Sequence, residues 1–181
     1  LRLGAEVMRV LIDVLTPKQC LFLGKLSSEL EAQGHQVLRT TREYREVNEL
    51  LRLKGFEALT VGRHGGASLS EKLRSSAERV LKLIPILEDF RPDVVVSFSS
   101  PEAARAAFGL GTHHLCVNDS PHAVAVARLT VPISRWLFTP KIVGKRAWTR
   151  FGIRTEAVTT YDALDPVAWL RGFEPDPTVL D

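Results

Sequence analysis

Short runs of apolar residues alternate with amphipathic segments along the chain from Met8 onward. The apolar runs have the character of β-strands and are MRVLIDV, QVLRTT, FEALTV, DVVVSF, HHLCVN, WLFTP and TEAVTT. The first and fourth runs are nearly continuous in aliphatic residues, which is typical of strands buried on both faces of a parallel sheet. Because right-handed crossovers leave few arrangements for repeated strand–helix–strand units, the pattern predicts a doubly wound parallel sheet with helices on both faces.

The predicted sheet has six or seven strands, and its expected order is 3-2-1-4-5-6. The fold class is therefore α/β and Rossmann-like. A chain of 181 residues is long enough to bury a real core and matches one domain of ordinary size. We expect a single domain in which the strands at Met8–Val14 and Asp93–Ser97 are parallel neighbours at the centre of the sheet.

Two amphipathic segments predict long helices. Residues 18–34 predict a helix that ends at Gly34, a residue suited to a C-terminal cap. Residues 69–90 predict a second helix, which carries apolar side chains at helical spacing: Leu69, Leu73, Ala77, Val80, Leu81, Ile84, Leu87 and Phe90.

The composition limits the kinds of protein that this chain can be. A formal net charge of +3 is too small by itself to indicate nucleic-acid binding. Arg128 interrupts the apolar stretch AVAVARLTVPI before it reaches the ~18 residues of a membrane helix, so we expect no membrane span. The first seven residues, LRLGAEV, lack a secretory apolar core, which favours a cytoplasmic location. Arg outnumbers Lys by 17 to 7, a mild indication of a thermophilic source.

No metal or other cofactor is expected from the residues present. Cys20 and Cys116 fall within or beside apolar segments, where buried free thiols are the usual state, and this argues against a zinc site. His64 and His122 follow strands four steps apart in the predicted order, or ~19 Å at ~4.8 Å per step, so they would not share a metal. The turn TPKQCLFLG lacks the glycine fingerprint of a dinucleotide site.

Four strand-to-helix junctions carry a hydroxyl residue followed by proline: Thr16-Pro17, Ser100-Pro101, Ser120-Pro121 and Thr139-Pro140. In each pair the hydroxyl can cap the helix while proline occupies the first helical position, so plain helix capping explains the pattern. All four junctions also lie at the carboxyl edge of the predicted sheet, where ligands bind in folds of this class. The helix N-termini gathered there favour an anionic ligand such as a phosphate or carboxylate.

The segment NDSPHAVAVARL at residues 118–129 has the richest polar chemistry of the chain. We predict that Ser120 caps the following helix, that Pro121 starts it, and that Asp119 orients a neutral His122. In that arrangement His122 and Asp119 are the candidate catalytic residues, with His122 as general base or as a partner for a substrate hydroxyl. A histidine that only packs is the alternative. The substrate-binding residues predicted in the same crevice are Thr16, Ser99, Ser100 and Ser120.

The glycine-rich segment GRHGGAS at residues 62–68 follows the third predicted strand. His64, Gly65 and Gly66 are candidate substrate-binding residues, because glycine lets the backbone approach a ligand closely or adopt positive φ. A flexible turn before the long helix explains the same glycines equally well. His64 joins the crevice of His122 only if its loop folds inward.

One basic run, containing Lys141, Lys145, Arg146, Arg150 and Arg154, precedes the last predicted strand. Its partial i,i+4 spacing is typical of a solvated helix face. A site for acceptor phosphate or nucleic acid is the alternative, and nucleic acid is the less favoured partner.

Three segments of the chain resemble one protein family. IDVLTPKQCLFLGKLSSELEAQGHQVLRTTRE, the HGG of residues 64–66 and NDSPHAVAVARLTVPISRWLFTP are similar to the archaeal and bacterial domain of unknown function 354. That family resembles the glycosyltransferase B-type enzymes and the nucleotide-sugar 2-epimerases, whose two Rossmann-like domains face each other across a cleft. The chain departs from the family at residues 16–21, where TPKQCL keeps the proline of N-P-P-H-x-H and lacks both histidines.

The resemblance implies how the chain is organised and what it does. Residues 8–172 would form the first Rossmann-like domain, residues 1–7 an N-terminal extension, and residues 173–181 a proline-rich hinge toward a second domain or a partner chain. In such enzymes the first domain holds the acceptor, so we expect the acceptor-side half of a glycosyltransferase-like enzyme, inactive alone, with a small-molecule or sugar acceptor. An epimerase half is not separable from it by sequence. The alternative is a non-catalytic binding module for a phosphorylated ligand or nucleic acid.

Overall fold

The computed structural model describes residues 6–171 and 173–180. Its strands are β1 (Arg9–Val14), β2 (Gln36–Glu43), β3 (Leu59–Arg63), β4 (Val94–Ser97), β5 (His113–Val117), β6 (Trp136–Pro140) and β7 (Val158–Tyr161). Its helices are α1 (Pro17–Ala32), α2 (Arg45–Leu53), α3 (Leu69–Phe90), α4 (Pro101–Gly109), α5 (Val124–Thr130), α6 (Arg146–Thr149) and α7 (Val167–Leu170). Short 3-10 helices cover Val131–Ile133, Thr155–Ala157 and Pro177–Leu180.

The predicted N-terminal extension and hinge are only partly covered by this description. Glu6 and Val7 are the described residues of the extension, and residues 173–180 are those of the hinge. The remaining residues of the extension, the last residue of the hinge, and residue 172, at which the predicted domain ends, lie outside the described residues. The division of the chain into extension, domain and hinge therefore stays a prediction.

The seven strands form one parallel sheet in the order β3-β2-β1-β4-β5-β6-β7. The predicted α/β doubly wound fold and strand order are confirmed, with β7 added beyond the sixth strand. The predicted pairing of the two central strands is also confirmed, because Leu11 of β1 lies opposite Val95 of β4 in a parallel ladder. The order reverses between β1 and β4, so this point of the sheet is where helices on opposite faces begin.

Side chains of β1 point alternately to the two faces of the sheet, which have separate cores. Val10 and Ile12 pack with residues of α1 and α2 on one face. Leu11 packs with residues of α3 and α4 on the opposite face. A third cluster, around Cys116 and Trp148, packs α5 and α6 against β5, β6 and β7. Both cysteines are buried free thiols.

Helix α3 buries a stripe that includes two polar residues. Its buried side chains are Ser75, Arg79, Leu83 and Leu87. The predicted apolar spacing is present, but Leu69, Leu73 and Leu81 are 83%, 73% and 68% exposed. The reason for this orientation of α3 is the ion pair of Arg79 with Asp13 of β1. It turns the face that carries Ser75, Arg79, Leu83 and Leu87 toward the sheet.

Two of the four hydroxyl–proline junctions cap helices as predicted. Thr16 accepts a hydrogen bond from the Gln19 backbone N–H at the start of α1. Ser100 accepts one from the Ala103 backbone N–H at 3.2 Å at the start of α4. In both helices proline stands in the first turn, where its missing N–H leaves no hydrogen bond unmade.

The capping predictions for the other two junctions are wrong. Helix α5 begins at Val124, three residues after Pro121, and Ala123 is its N-cap without a side-chain hydrogen bond. Thr139 lies inside β6, and its hydroxyl accepts a hydrogen bond from Trp148 Nε1 at 3.0 Å. A hydroxyl–proline pair can therefore end a strand and not start a helix, when a side chain from another element forms a hydrogen bond with the hydroxyl.

The described residues contain no candidate membrane-spanning helix. None of their helices combines the length and the apolar character that crossing a bilayer requires.

Candidate functional site

A small polar crevice opens at the carboxyl edge of β1, β4 and β5, next to the reversal of strand order. Its volume is about 210 Å³. Four predicted site residues, Thr16, Ser99, Asp119 and Ser120, line it together. The other lining residues are Lys18, Gln19, Phe98, Asn118, Ala123 and Val126.

Gln19 fixes one wall of the crevice by joining two loops. Its backbone N–H is held by the Thr16 hydroxyl at the start of α1. Its side-chain oxygen accepts from the Leu15 N–H at 2.7 Å, and its side-chain nitrogen donates to the Phe98 carbonyl at 3.1 Å. The loop after β1 is therefore held against the loop after β4, and side chains from both loops face the same space.

Ser99 has a backbone conformation that is uncommon for a residue other than glycine. Its φ is 56°, in the left-handed region, which costs of order 1 kcal/mol or more unless other contacts hold it. Its hydroxyl accepts from Asn118 Nδ2 at 2.5 Å and lies 3.1 Å from Cys116 Sγ. Asn118 in turn accepts from the Ser120 N–H at 2.8 Å. Asn118, which was not among the predicted site residues, thus holds the β4–α4 loop to the β5–α5 loop.

Lys18 is another residue of the crevice that was not among the predicted site residues. Its ammonium pairs with Asp119 and lies 2.6 Å from Asp165 Oδ2 in the loop after β7. It also lies 4.5 Å from the centre of the Phe98 ring. Partial burial disfavours the ammonium, but the hydrogen bonds to both carboxylates outweigh burial and raise the pKa of Lys18 above its usual value.

Asp119 is held as a carboxylate by the same contacts. Partial burial alone would raise its pKa, but the hydrogen bonds from Lys18 and Ser120 outweigh burial and lower the pKa of Asp119. Asp165 accepts a further hydrogen bond from the Tyr161 hydroxyl at 2.5 Å. One ammonium therefore faces two carboxylates, and the cluster is negative overall. This negative charge disfavours an anionic ligand, which we predicted for this edge from the helix N-termini gathered there.

Contrary to the prediction, Asp119 does not orient His122 in the structure. Asp119 is bonded to Lys18 and to the Ser120 hydroxyl, which donates at 2.8 Å. Because α5 begins at Val124, His122 is exposed in the turn before the helix. Arg150 Nη2 donates to the Pro121 carbonyl at 2.7 Å and holds that turn from the outside. The catalytic role of His122 stays a prediction.

Ser100 is buried and bonds to groups behind the crevice, away from the lining side chains. Its N–H donates to the Ser97 hydroxyl at 2.9 Å, and its hydroxyl donates to Glu102 at 3.3 Å. Behind it, the two terminal guanidinium nitrogens of Arg79, Nη2 and Nη1, donate to Asp13 at 2.5 and 3.0 Å. Burial would raise the pKa of Asp13, but the charge and hydrogen bonds of Arg79 outweigh burial and lower that pKa.

The glycine segment after β3 lies at a different place on the same edge. The His64 ring stacks on Tyr44 with 5.3 Å between ring centres, beside a depression lined also by residues at the end of β2, in α2 and at the end of β3. A Cβ on Gly65 would lie 2.5 Å from Lys72 Cα, and Gly66 has φ +64°. Packing and backbone conformation therefore account for both glycines. The loop does not bring His64 into the crevice.

The basic run is largely engaged with the chain's own groups. Lys141 pairs with Asp162 at 3.2 Å, Lys145 donates to the Thr155 carbonyl at 3.5 Å, and Arg150 holds the turn at Pro121. These contacts favour the solvated-surface interpretation over a phosphate or nucleic-acid site. Among residues 6–171 and 173–180, no cluster of three or more His, Cys, Asp or Glu side chains could hold a metal ion.

The fold is shared with proteins of known structure. UDP-GlcNAc 2-epimerase from Neisseria meningitidis has a TM-score of 0.72 and 21% identity, over 89% of this chain and 47% of that one. MurG of Acinetobacter baumannii has a TM-score of 0.59 and 13% identity, over 75% and 41%. The Streptomyces sp. SF2575 glycosyltransferase SsfS6 has a TM-score of 0.53 and 18% identity, over 73% and 50%. At these identities the likeness shows the fold alone.

The sequence comparisons identify a family. Uncharacterized protein MJ0665 from Methanocaldococcus jannaschii is 30% identical over 168 residues, which cover 92% of this chain and 49% of that protein. The chain thus spans about half the length of this relative. The sequence profile of the family described as Protein of unknown function (DUF354) matches residues 8–174, and the chain belongs to that family.

Proposed function

We propose that this chain is the N-terminal, acceptor-side half of a glycosyltransferase-like enzyme, and that the crevice binds a neutral, hydroxyl-rich acceptor such as a sugar. The observation that carries the proposal is the ring of polar side chains that three loops bring to one crevice at the reversal of strand order. Ligands of doubly wound folds bind at this position. The structural likeness to one half of two-domain epimerases and glycosyltransferases supports the same assignment.

The chemistry of the crevice suits hydroxyl groups. The Asp119 carboxylate can accept a hydrogen bond from a hydroxyl, while Lys18 and Asn118 can donate one. The negative sum of Lys18, Asp119 and Asp165 opposes a phosphate in the same space. The volume of about 210 Å³ is below the ~300 Å³ at which small-molecule sites usually begin. We infer that the crevice holds one sugar ring and that a facing domain completes the site.

The proposed roles divide between two residues. Asp119, whose pKa is lowered, is a weak base and is suited to orienting the acceptor. His122 is exposed three residues further on and is our candidate for the group that takes the acceptor proton. In transfer, the acceptor oxygen would bond to the anomeric carbon of the donor sugar while the bond to the nucleotide oxygen breaks. The donor would be held by a second domain.

The proposal is tested by amide-resolved NMR titration of the 181-residue chain with N-acetylglucosamine and, separately, with UDP. We expect N-acetylglucosamine to perturb residues 16–19, 98–100 and 118–123 in a saturable way, and UDP to leave them unchanged. Asp119→Asn should weaken the sugar binding about tenfold, since a charge-assisted hydrogen bond is lost. Glu156→Gln, which changes a charge in the distant 3-10 helix, is the matched control. Perturbation of those residues by UDP and not by the sugar would overturn the proposal.

A further inference from the structure

Helix α3 is apolar on more of its surface than the rest of the chain covers. Leu69, Leu73 and Leu81 are 83%, 73% and 68% exposed, whereas Leu83 and Leu87 of the same helix are buried. Exposed apolar side chains scattered singly are normal on a monomer, but these three leucines lie on one helix. A helix that is apolar on more than one face is usually covered on each of them. The outer face of α3 is therefore a candidate interaction surface.

The three exposed leucines belong to one continuous row along the helix. Residues four apart lie next to one another on a helix surface and form a ridge. One ridge of α3, here called the leucine ridge, contains in order Leu69, Leu73, Ala77, Leu81 and Pro85. Pro85 lies 16 residues after Leu69, or ~24 Å at ~1.5 Å per residue. The exposed Ala77 stands between two leucines, so a second helix can approach closely at that point.

The packing of α3 prevents the helix from turning the leucine ridge toward the sheet. Arg79 is 1% exposed, donates to the Val61 carbonyl at 2.9 Å and forms an ion pair with Asp13. Rotation of the helix would take the guanidinium away from both partners, and breaking a buried ion pair is strongly destabilising. The leucine ridge therefore stays at the surface of the single chain. Association with another chain would remove it from water.

Charged side chains border the leucine ridge in a self-complementary pattern. The adjacent ridge carries Arg74, Glu78 and Lys82, which are exposed and alternate in sign. When two antiparallel copies of α3 are related by a twofold axis, this charged ridge faces its own copy in the reverse direction. With the axis near Ala77, Arg74 of each copy lies close to Glu78 of the other. Parallel helices would instead place like charges together.

The contact that Arg74 makes within the chain does not oppose this pairing. Arg74 lies 3.7 Å from Glu71, and the two side chains are 69% and 47% exposed. Ion pairs as exposed as this one contribute little to stability. Arg74 can therefore exchange Glu71 for a carboxylate of another chain at little cost.

We propose that the outer face of α3 is the interface of a symmetric homodimer, in which the leucine ridges of two copies pack antiparallel against each other. Leu73 of one copy then lies beside Leu81 of the other, and the charged ridges flank this apolar centre. The self-complementary charges favour a second copy of this chain over a different partner. The crevice is lined by other elements, so the inference does not depend on the function proposed there.

The test is sedimentation velocity of the 181-residue chain. One helix face gives an interface at the small end of the specific range, so we expect a dimer that dissociates on dilution, with a Kd of about 10 µM. Leu73→Glu places a charge in the apolar centre and should weaken the dimer about tenfold or more. Leu53→Glu adds the same charge at a 76%-exposed leucine of α2, and this matched control should dimerise as the wild type.

Reversal of the bordering charges tests the antiparallel arrangement. Arg74→Glu and Glu78→Arg, made singly, place like charges together across the axis, and each should weaken the dimer about threefold or more. The chain that carries both substitutions restores opposite charges and should recover the wild-type affinity. Because both positions are exposed, these variants should keep the wild-type melting temperature.

Several outcomes would overturn the homodimer. A chain that stays monomeric up to about 500 µM, well above the expected Kd, would leave the leucine ridge to a different partner. Equal effects of Leu73→Glu and Leu53→Glu would show that the ridge is not the interface. Species larger than a dimer would show open-ended association and exclude a closed twofold interface. If Leu73→Glu does not fold, the charge reversals decide, and a double variant that stays as weak as the single ones rejects the arrangement.

Discussion

Two carboxylate–cation pairs lie at the same edge of the sheet and differ mainly in burial. The side chains of Asp13 and Arg79 are 0% and 1% exposed, whereas those of Asp119 and Lys18 are 28% and 38% exposed. The first pair, with Thr40 as a further donor, holds α3 against β1 and cannot be reached by a ligand. The second pair is partly accessible from solvent. The comparison indicates that burial separates the structural pair from the pair that we propose to contact a ligand.

The same substitution in both pairs gives the sharpest test. Asp13→Asn removes the charge that neutralises buried Arg79, and we expect it to lower the free energy of unfolding by about 3 to 5 kcal/mol. Urea unfolding at pH 7 measures the loss. A loss below about 1 kcal/mol would show that Glu102 and solvent compensate Arg79 and that the pair is not structural.

His114 is a buried ionisable group without an ion-pair partner among the described residues, so we expect its burial to make the free energy of unfolding depend on pH. Burial lowers the pKa of His114 to about 4, and its ring is bonded to the Ser97 and Ser134 hydroxyls. The unfolded chain takes up this proton near pH ~6.5. Stability from the neutral ring is therefore complete above pH ~6.5 and is lost as pH falls toward ~4, by about 3 kcal/mol.

Unfolding free energies measured between pH 7.5 and 4.5 test this expectation. His114→Gln should be less stable at pH 7.5 but should lose less stability on acidification than the wild type. His113→Gln changes the exposed neighbour and should keep the wild-type pH dependence. Equal pH dependence of wild type and His114→Gln would contradict the assignment.

Alanine substitutions at the two glycines after His64 distinguish the stability cost of close packing from the cost of an unfavourable backbone conformation. Gly65→Ala should cost about 2 kcal/mol, because its Cβ would press on the Lys72 and Glu71 backbone at 2.5 and 2.8 Å. Gly66→Ala should cost about 1 kcal/mol, because open space surrounds the Cβ and the residue meets only the strain of positive φ. Thermal and urea unfolding of both variants measure the difference. A larger loss for Gly66→Ala would reverse the assignment.

Asp119→Asn should have the smallest effect on stability. The pair with Lys18 is partly exposed and screened, so we expect a loss below about 1 kcal/mol. The same variant should bind N-acetylglucosamine about tenfold more weakly. A loss of stability comparable to that of Asp13→Asn would remove the distinction between the two pairs.

Much of the fold was predictable because its signals are local. The alternation of apolar runs with amphipathic segments identified the seven strands, and the right-handed crossover rule gave the order through β6. Thr16 and Ser100 were correctly predicted as caps, because capping uses a backbone N–H three residues away. Thr139 was not, because its partner, Trp148, packs from a later helix.

The candidate site was predictable in its place and only partly in its members. Thr16, Ser99, Asp119 and Ser120 follow strands that meet at one edge, and they line one crevice. Lys18 follows the first junction proline, and its place in the first turn of α1 was the available signal. No signal in the sequence indicated that Lys18 would pair with Asp119, which lies 101 residues further along the chain.

The pattern of apolar and polar residues was sufficient for the order of the strands through β6 and for the edge at which Thr16, Ser99, Asp119 and Ser120 meet, because side-chain periodicity and crossover handedness act over short stretches of chain. Which polar groups are buried and which stay accessible depended on packing between distant segments. Asp13 and Arg79 are 66 residues apart, and their pairing turned a polar stripe of α3 toward the sheet while leaving Leu69 and Leu73 exposed. A buried charge requires a partner, and only the folded chain brings that partner within hydrogen-bonding distance.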